Sequence, residues 1–127
     1  MSMLNEMNFR IRNATSERTG KAIPNQFFGW HGDTEFFQSY DTPIIEVDHE
    51  NFEIKVNVGI VSLGHTSGRA YHVSRTTSKY LKVFLLEAFG DAGNYIFKNF
   101  DKLIDKGEVT VQNGMITRHF TIIKVNE

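Results

Sequence analysis

Between residues 74 and 89 the chain reads SRTTSKYLKVFLLEAF, a hydroxyl-rich turn that runs into the most apolar stretch of the sequence. Tyr80, Leu81, Phe84, Leu85 and Ala88 recur three and four residues apart, so one stripe of a helix is apolar and has to lie on a core. Thr76 or Thr77 is placed to cap its first turn, and Gly90 to end it. Lys79 and Lys82 fall off the stripe and Arg75 precedes it, which predicts a basic edge along a helix whose other side is buried. A second amphipathic helix is predicted over 94–106, with Ile96, Phe97, Phe100, Leu103 and Ile104 on one side and Gly107 as its stop.

Elsewhere the period is two. In 8–13, Phe9 and Ile11 alternate with Arg10 and Arg12, the pattern of a half-buried strand with a basic outer face. Residues 22–30 form a second extended segment, where Pro24 favours an edge or a strand start. Residues 35–47 read as one long strand, with Pro43 at an edge or a bulge, and 52–58 as the cleanest strand of all. The four residues 48–51 join them, a loop that sets Val47 opposite Phe52 and places Ile45 and Ile54 on one face. Residues 108–125 make a closing hairpin around Asn113-Gly114. Residues 1–7 are a loose lead, and 8–127 form a single α+β domain. Its expected architecture is a curved antiparallel sheet of about five or six strands with two helices packed on one face.

Composition narrows the function classes. A chain of 127 residues buries a real core unaided, and 11 phenylalanines supply much of it, Phe27, Phe36 and Phe84 among them. Without cysteine there is no disulfide framework, thiolate nucleophile or cysteine zinc site. No apolar run approaches the roughly 18 residues of a membrane span and no signal-peptide pattern opens the chain, so a cytoplasmic protein is expected. A net charge of −1 argues against coating nucleic acid by bulk electrostatics. The charges are nevertheless segregated: Asp33, Glu35, Asp41, Glu46, Asp48, Glu50 and Glu53 come before Arg69, Arg75, Lys79 and Lys82.

Catalytic and cofactor signatures are weak. GIVSLGHT over 59–66 has the glycine spacing of a phosphate loop, but His65 stands where a lysine belongs and no helix opens after it. The histidines His31, His49, His65, His72 and His119 show no helical pairing with a carboxylate, so neither a metal nor another cofactor is expected. Ser39, Asp41 and a histidine nominally offer a hydrolytic set, without an elbow or anion hole to support it.

Three separated blocks carry a resemblance. GKAIPNQFF at 20–28, FFQSYDTPII at 36–45 and SRTTSKYLKVFL at 74–85 resemble a small domain of unknown function encoded by phages and plasmids of Gram-positive bacteria. The matching positions are Asn25, Gln26, Gln38, Ser39, Tyr40, Thr42, Ser74, Thr76, Thr77 and Tyr80. Here Tyr71-His72-Val73 and a longer glycine-rich loop replace the aromatic and acidic residues that usually precede the third block. The resemblance implies an origin without implying a reaction. Taken with the residues, it gives the expectation of a small non-enzymatic protein that binds host or viral proteins, through the loop 59–69 and the flank of Arg69, Arg75, Lys79 and Lys82. The alternative is a phage single-stranded DNA binding protein of OB-like build, with Trp30, Phe37, Tyr40 and Tyr71 as stacking residues. In either case an exposed edge at 8–13 offers a second copy a place to pair, giving a homodimer.

Overall fold

The computed structural model describes residues 9–58 and 75–125. The lead, the glycine-rich loop with Arg69, Tyr71 and the histidines His65 and His72 lie outside the described residues. Five strands come first: β1 (Phe9–Thr15), β2 (Ala22–His31), β3 (Thr34–Ser39), β4 (Thr42–Asp48) and β5 (Glu53–Asn57). Three helices follow, α1 (Arg75–Phe89), α2 (Ala92–Lys98) and α3 (Phe100–Lys106), and then β6 (Glu108–Asn113) and β7 (Ile116–Val125). They form one seven-stranded sheet in the order β1-β2-β3-β4-β5-β7-β6. Every neighbouring pair is antiparallel except β5 and β7, which run parallel and are joined through the helices. The protein is therefore α+β, with more strands and one more helix than the sequence pattern predicts. No described helix is long and apolar enough to cross a membrane.

Both differences have local causes. The predicted strand 35–47 turns back on itself, with Ser39 pairing with Thr42 across Tyr40 and Asp41. Tyr40 takes φ 55°, a conformation that side chains larger than glycine rarely adopt. It is held there because its N–H donates to the Asn25 carbonyl at 2.7 Å while the Gln38 side-chain amide donates to the Tyr40 carbonyl at 2.9 Å. The predicted helix 94–106 divides at Asn99 (φ −114°, ψ 24°), whose backbone N–H and side-chain amide both bond to the Tyr95 carbonyl. Pro43 sits beside the bulge in the β3–β4 ladder, as its lack of an N–H requires.

Other registers are corrected by smaller steps. Val47 pairs with Ile54, not with Phe52, because Phe52 (φ 55°) belongs to the turn. A shift of two leaves every side chain on its predicted face, so Ile45 and Ile54 still share the core. In the closing hairpin Asn113 pairs with Ile116, which puts Gly114 (φ 65°) and Met115 at the tip in place of Asn113-Gly114. In β1 the predicted faces are reversed. Ile11 is 50% exposed, whereas Ala14 is buried and Arg12 lies on the helix side, bonded to Glu87 of α1 and stacked on the Phe28 ring. Long guanidinium stems cover apolar surface at an uncovered sheet edge better than isoleucine does, since their heads stay in water.

The core lies between one sheet face and α1. Phe28, Phe37 and Phe84 meet with ring centroids 5.4 to 6.1 Å apart, each burial contributing about 1.5–3 kcal/mol. Of the phenylalanines expected inside, Phe84 is buried, while Phe27 and Phe36 are half-buried on the opposite face and Phe28 and Phe37 take the core places. Helix α1 starts at Arg75, so Thr76 and Thr77 lie inside it and are not its cap. Gly90 (φ 64°) ends it, its N–H donating to the Leu86 carbonyl. Gly93 then lets α2 touch α1, because a Cβ there would stand 2.2 Å from the Leu85 carbonyl oxygen.

Gly93→Ala should lower stability by about 3 kcal/mol in urea unfolding, although alanine is the better helix former by about 1 kcal/mol. An unchanged or raised midpoint would mean that α1 and α2 are not in backbone contact. Asp48 gives a pH prediction. The Asn51 backbone N–H, with the Asn51 side-chain amide and the Glu50 N–H, holds its carboxyl below the ordinary 3.8 despite some opposing desolvation. A lowered value means that the ionised form stabilises the fold fully above the unfolded value and that this is lost as pH falls through the folded one. The stability difference between the native chain and Asp48→Asn should accordingly be constant near neutrality and shrink below about pH 4.

Candidate functional site

Three of the residues that carry the resemblance, Gln26, Ser39 and Thr77, come together as a seam. The Gln26 side-chain amide donates to Ser39 Oγ at 3.0 Å, and Ser39 Oγ lies 2.8 Å from Thr77 Oγ1. All three side chains are buried, and they tie β2, β3 and the first turn of α1 into one unit. A buried hydroxyl is tolerated when it is bonded, so these residue types suit the place. The Ser39 hydroxyl is committed to Gln26 and Thr77, and Asp41 is exposed in the turn beyond, which separates the nominal hydrolytic set. Among the described residues no three His, Asp or Glu side chains gather in a way that could hold a metal ion.

At the other end of β3 the buried carboxylate of Glu35 meets His49 Nε2 at 3.0 Å. The His49 ring stacks on Trp30 at 5.2 Å and also approaches Phe89 and Phe120. The Arg10 guanidinium lies 5.9 Å from the Trp30 ring centre. The register explains the arrangement, because Arg10, Trp30 and Glu35 are direct neighbours across β1, β2 and β3. Trp30 is thus half-buried with an imidazole and a guanidinium against it. A cleft of about 200 Å³ opens beside it, lined by Arg10, Arg12, Trp30, Glu35 and Glu87.

A wider recess lies on the outer side of α1. It has a volume of about 480 Å³ and is lined by Glu17, Ser78, Lys79, Lys82, Val83, Leu86 and Phe97. Helical spacing makes it: 79, 82, 83 and 86 share the face opposite the buried stripe, and Phe97 of α2 closes one side. Leu86 is 39% exposed, and Lys82 Nζ lies 5.9 Å from the Phe97 ring centre. Neither lysine has a carboxylate within salt-bridge distance among the described residues. The recess has an apolar floor with two lysines and the Glu17 carboxylate on its rim.

The predicted site residues are therefore dispersed. Lys79 and Lys82 line one groove, and Arg75 begins the same helix. Trp30 sits at the β2–β3 turn, while Tyr40, 61% exposed, sits at the opposite end of β3. Phe37 is fully buried, so it is not a stacking surface. Sequence reasoning missed the floor of the groove, and the signal was present in Val83 and Leu86, apolar residues that fall off the core stripe. It also missed the Glu35–His49 pair, whose members are 14 residues apart and meet only through strand pairing.

Removing His49 leaves a buried carboxylate without this partner, so His49→Ala should cost about 2–3 kcal/mol in urea unfolding. Glu35→Leu combined with His49→Ala should cost clearly less than the sum of the two single changes. Additive losses would show that the pair does not interact.

No protein-family model matches this chain, and neither the curated proteins nor the solved structures contain a significant match to it.

Proposed function

We propose that this chain is a small non-enzymatic protein of phage or mobile-element origin that works in the host cytoplasm by binding another protein, host or viral, through the groove of α1. The observation that carries this reading is the apolar floor of Val83, Leu86 and Phe97 beneath Lys79 and Lys82. A helix or extended segment with apolar anchors and neighbouring Asp or Glu side chains would cover the floor and neutralise both cations. Burying what remains exposed of Leu86 and Phe97 would supply up to about 1 kcal/mol each before the costs of association. The lysines would act mainly on encounter rate and on the choice of partner. The proposed origin rests on the three sequence blocks, and the bonded seam of Gln26, Ser39 and Thr77 supports treating those blocks as scaffold.

The single-stranded DNA reading has less behind it. Such binding asks for several exposed ring faces in one basic groove. Here Phe37 is in the core, Trp30 lies against Arg10 and His49, and Tyr40 stands at the far end of β3. Among the described residues the sheet also has two edges, β1 and β6, instead of the closed strands of an OB barrel.

Random peptides selected on the immobilised full chain should enrich sequences with apolar anchors flanked by Asp or Glu. Lys79→Glu combined with Lys82→Glu should weaken the enriched peptide at least about tenfold, steepest at low salt, with the urea midpoint unchanged. Enrichment without acidic residues, or an affinity that the double variant leaves unmoved, would exclude this groove. A labelled single-stranded oligonucleotide serves as the counter-probe, and tight salt-sensitive binding to it would restore the DNA reading.

A further inference from the structure

The two outer strands of the described sheet are guarded unequally. β1 carries Arg10 and Arg12, and its pairing with β2 is broken between Asn13 and Thr15. Both features discourage another strand from adding there. β6 reads EVTVQN, with no proline, lysine or arginine, and pairs with β7 without a bulge from Glu108–Thr121 to Asn113–Ile116.

The hydrogen bonds of β7 show which backbone groups of β6 face outward. The Thr121 N–H donates to the Phe52 carbonyl at 2.9 Å and the Val125 carbonyl accepts from the Val58 N–H at 2.7 Å, so these residues of β7 point toward β5. The Ile122 N–H donates to the Gly107 carbonyl at 2.8 Å, on the other side. Backbone groups alternate sides along a strand, so Phe120, Arg118 and Ile116 bond Val109, Val111 and Asn113. Glu108, Thr110 and Gln112 must then turn their N–H and C=O groups away from β7. Among the described residues no strand meets them.

We infer that β6 is the surface through which two copies of this chain pair, antiparallel and centred on Thr110. In that register Thr110 faces Thr110 of the second copy, Glu108 faces Gln112, and Val109 faces Val111 on the helix-covered side. No like charges oppose one another, and threonine pairs and apolar pairs are favourable cross-strand neighbours. The outer side chains are already fixed, because His119 bonds both Glu108 Oε1 at 2.8 Å and Thr110 Oγ1 at 3.0 Å. The same operation on β1, centred on Ile11, would oppose Arg10 with Arg12 of the other copy. The dimer expected at residues 8–13 is thereby moved to the opposite edge, where a perpendicular two-fold axis keeps all helices on one face of a continuous sheet.

Sedimentation of the full chain, with amide hydrogen exchange, tests this. A dimer at about 100 µM with slow exchange at Thr110 and Gln112 is expected. Thr110→Pro removes an outward N–H without touching the β6–β7 ladder, so it should sediment as a folded monomer in which the Gln112 amide exchanges rapidly. Should that variant fail to fold, Thr110→Arg places like charges face to face and should weaken dimerisation at least about tenfold. A native chain that stays monomeric at that concentration with freely exchanging Thr110 and Gln112 amides overturns the inference. So does a dimer that survives in a folded Thr110→Pro or Thr110→Arg protein.

Discussion

The structure depends on how α1 is seated across β2 and β3. Phe84 fits against Phe28 and Phe37, and these aromatic contacts set the height of the helix above the sheet. Apolar packing alone would leave the helix free to slide or rotate, because it is not directional. The hydroxyl seam of Gln26, Ser39 and Thr77 fixes the phase at one end, and the exposed Arg12–Glu87 ion pair adds a weak tie near the other. Ser39 and Thr77 are too short to bond in any other rotation. With α1 fixed, its outer face is fixed too, and Lys79, Lys82, Val83 and Leu86 become a groove instead of scattered surface residues.

The polar residues inside the molecule divide by what they hold. At the Ser39 end they are neutral hydroxyls and an amide, bonded through the Gln26 amide N–H and the two hydroxyls, while the buried Gln26 Oε1 is left without a hydrogen-bond partner. At the Trp30 end they are an acid and an imidazole, packed among aromatic rings and arginines. The first set ties strands to helix. The second leaves a cleft beside it, with mixed charge and no excess of either sign on its walls.

Much of this was legible in the sequence, and the exceptions share a cause. The α1 stripe and the stop at Gly107 follow from local period and backbone freedom and appear where the pattern places them, and the strand read over 52–58 appears as Glu53–Asn57, with Phe52 in the turn. The split of 35–47 does not, since nothing local marks Tyr40 as a turn residue. Its unusual φ is maintained by Asn25 and Gln38, one of them on another strand. Likewise Phe27 and Phe36 cannot be told from Phe28 and Phe37 by type, and only the register decides which pair meets α1. The Arg10 and Arg12 face was inverted because alternation gives two faces without saying which one a helix will cover. The groove floor was overlooked because its residues come from two helices whose packing turns on Gly93.

The parallel pairing of β5 with β7 carries an implication for how the chain acquires its structure. Five strands can zip up in sequence order, each beside its predecessor, but β5 keeps a bare side until every helix and β6 have been made. Closing that gap brings Ile54 to Ile122, and such long-range pairing is slow compared with hairpin formation. During synthesis the partly made molecule therefore shows the flank of β5 to its surroundings until β7 has emerged to cover it. A chain cut short before residue 116 would keep that flank bare, a strand edge open to pairing with other chains.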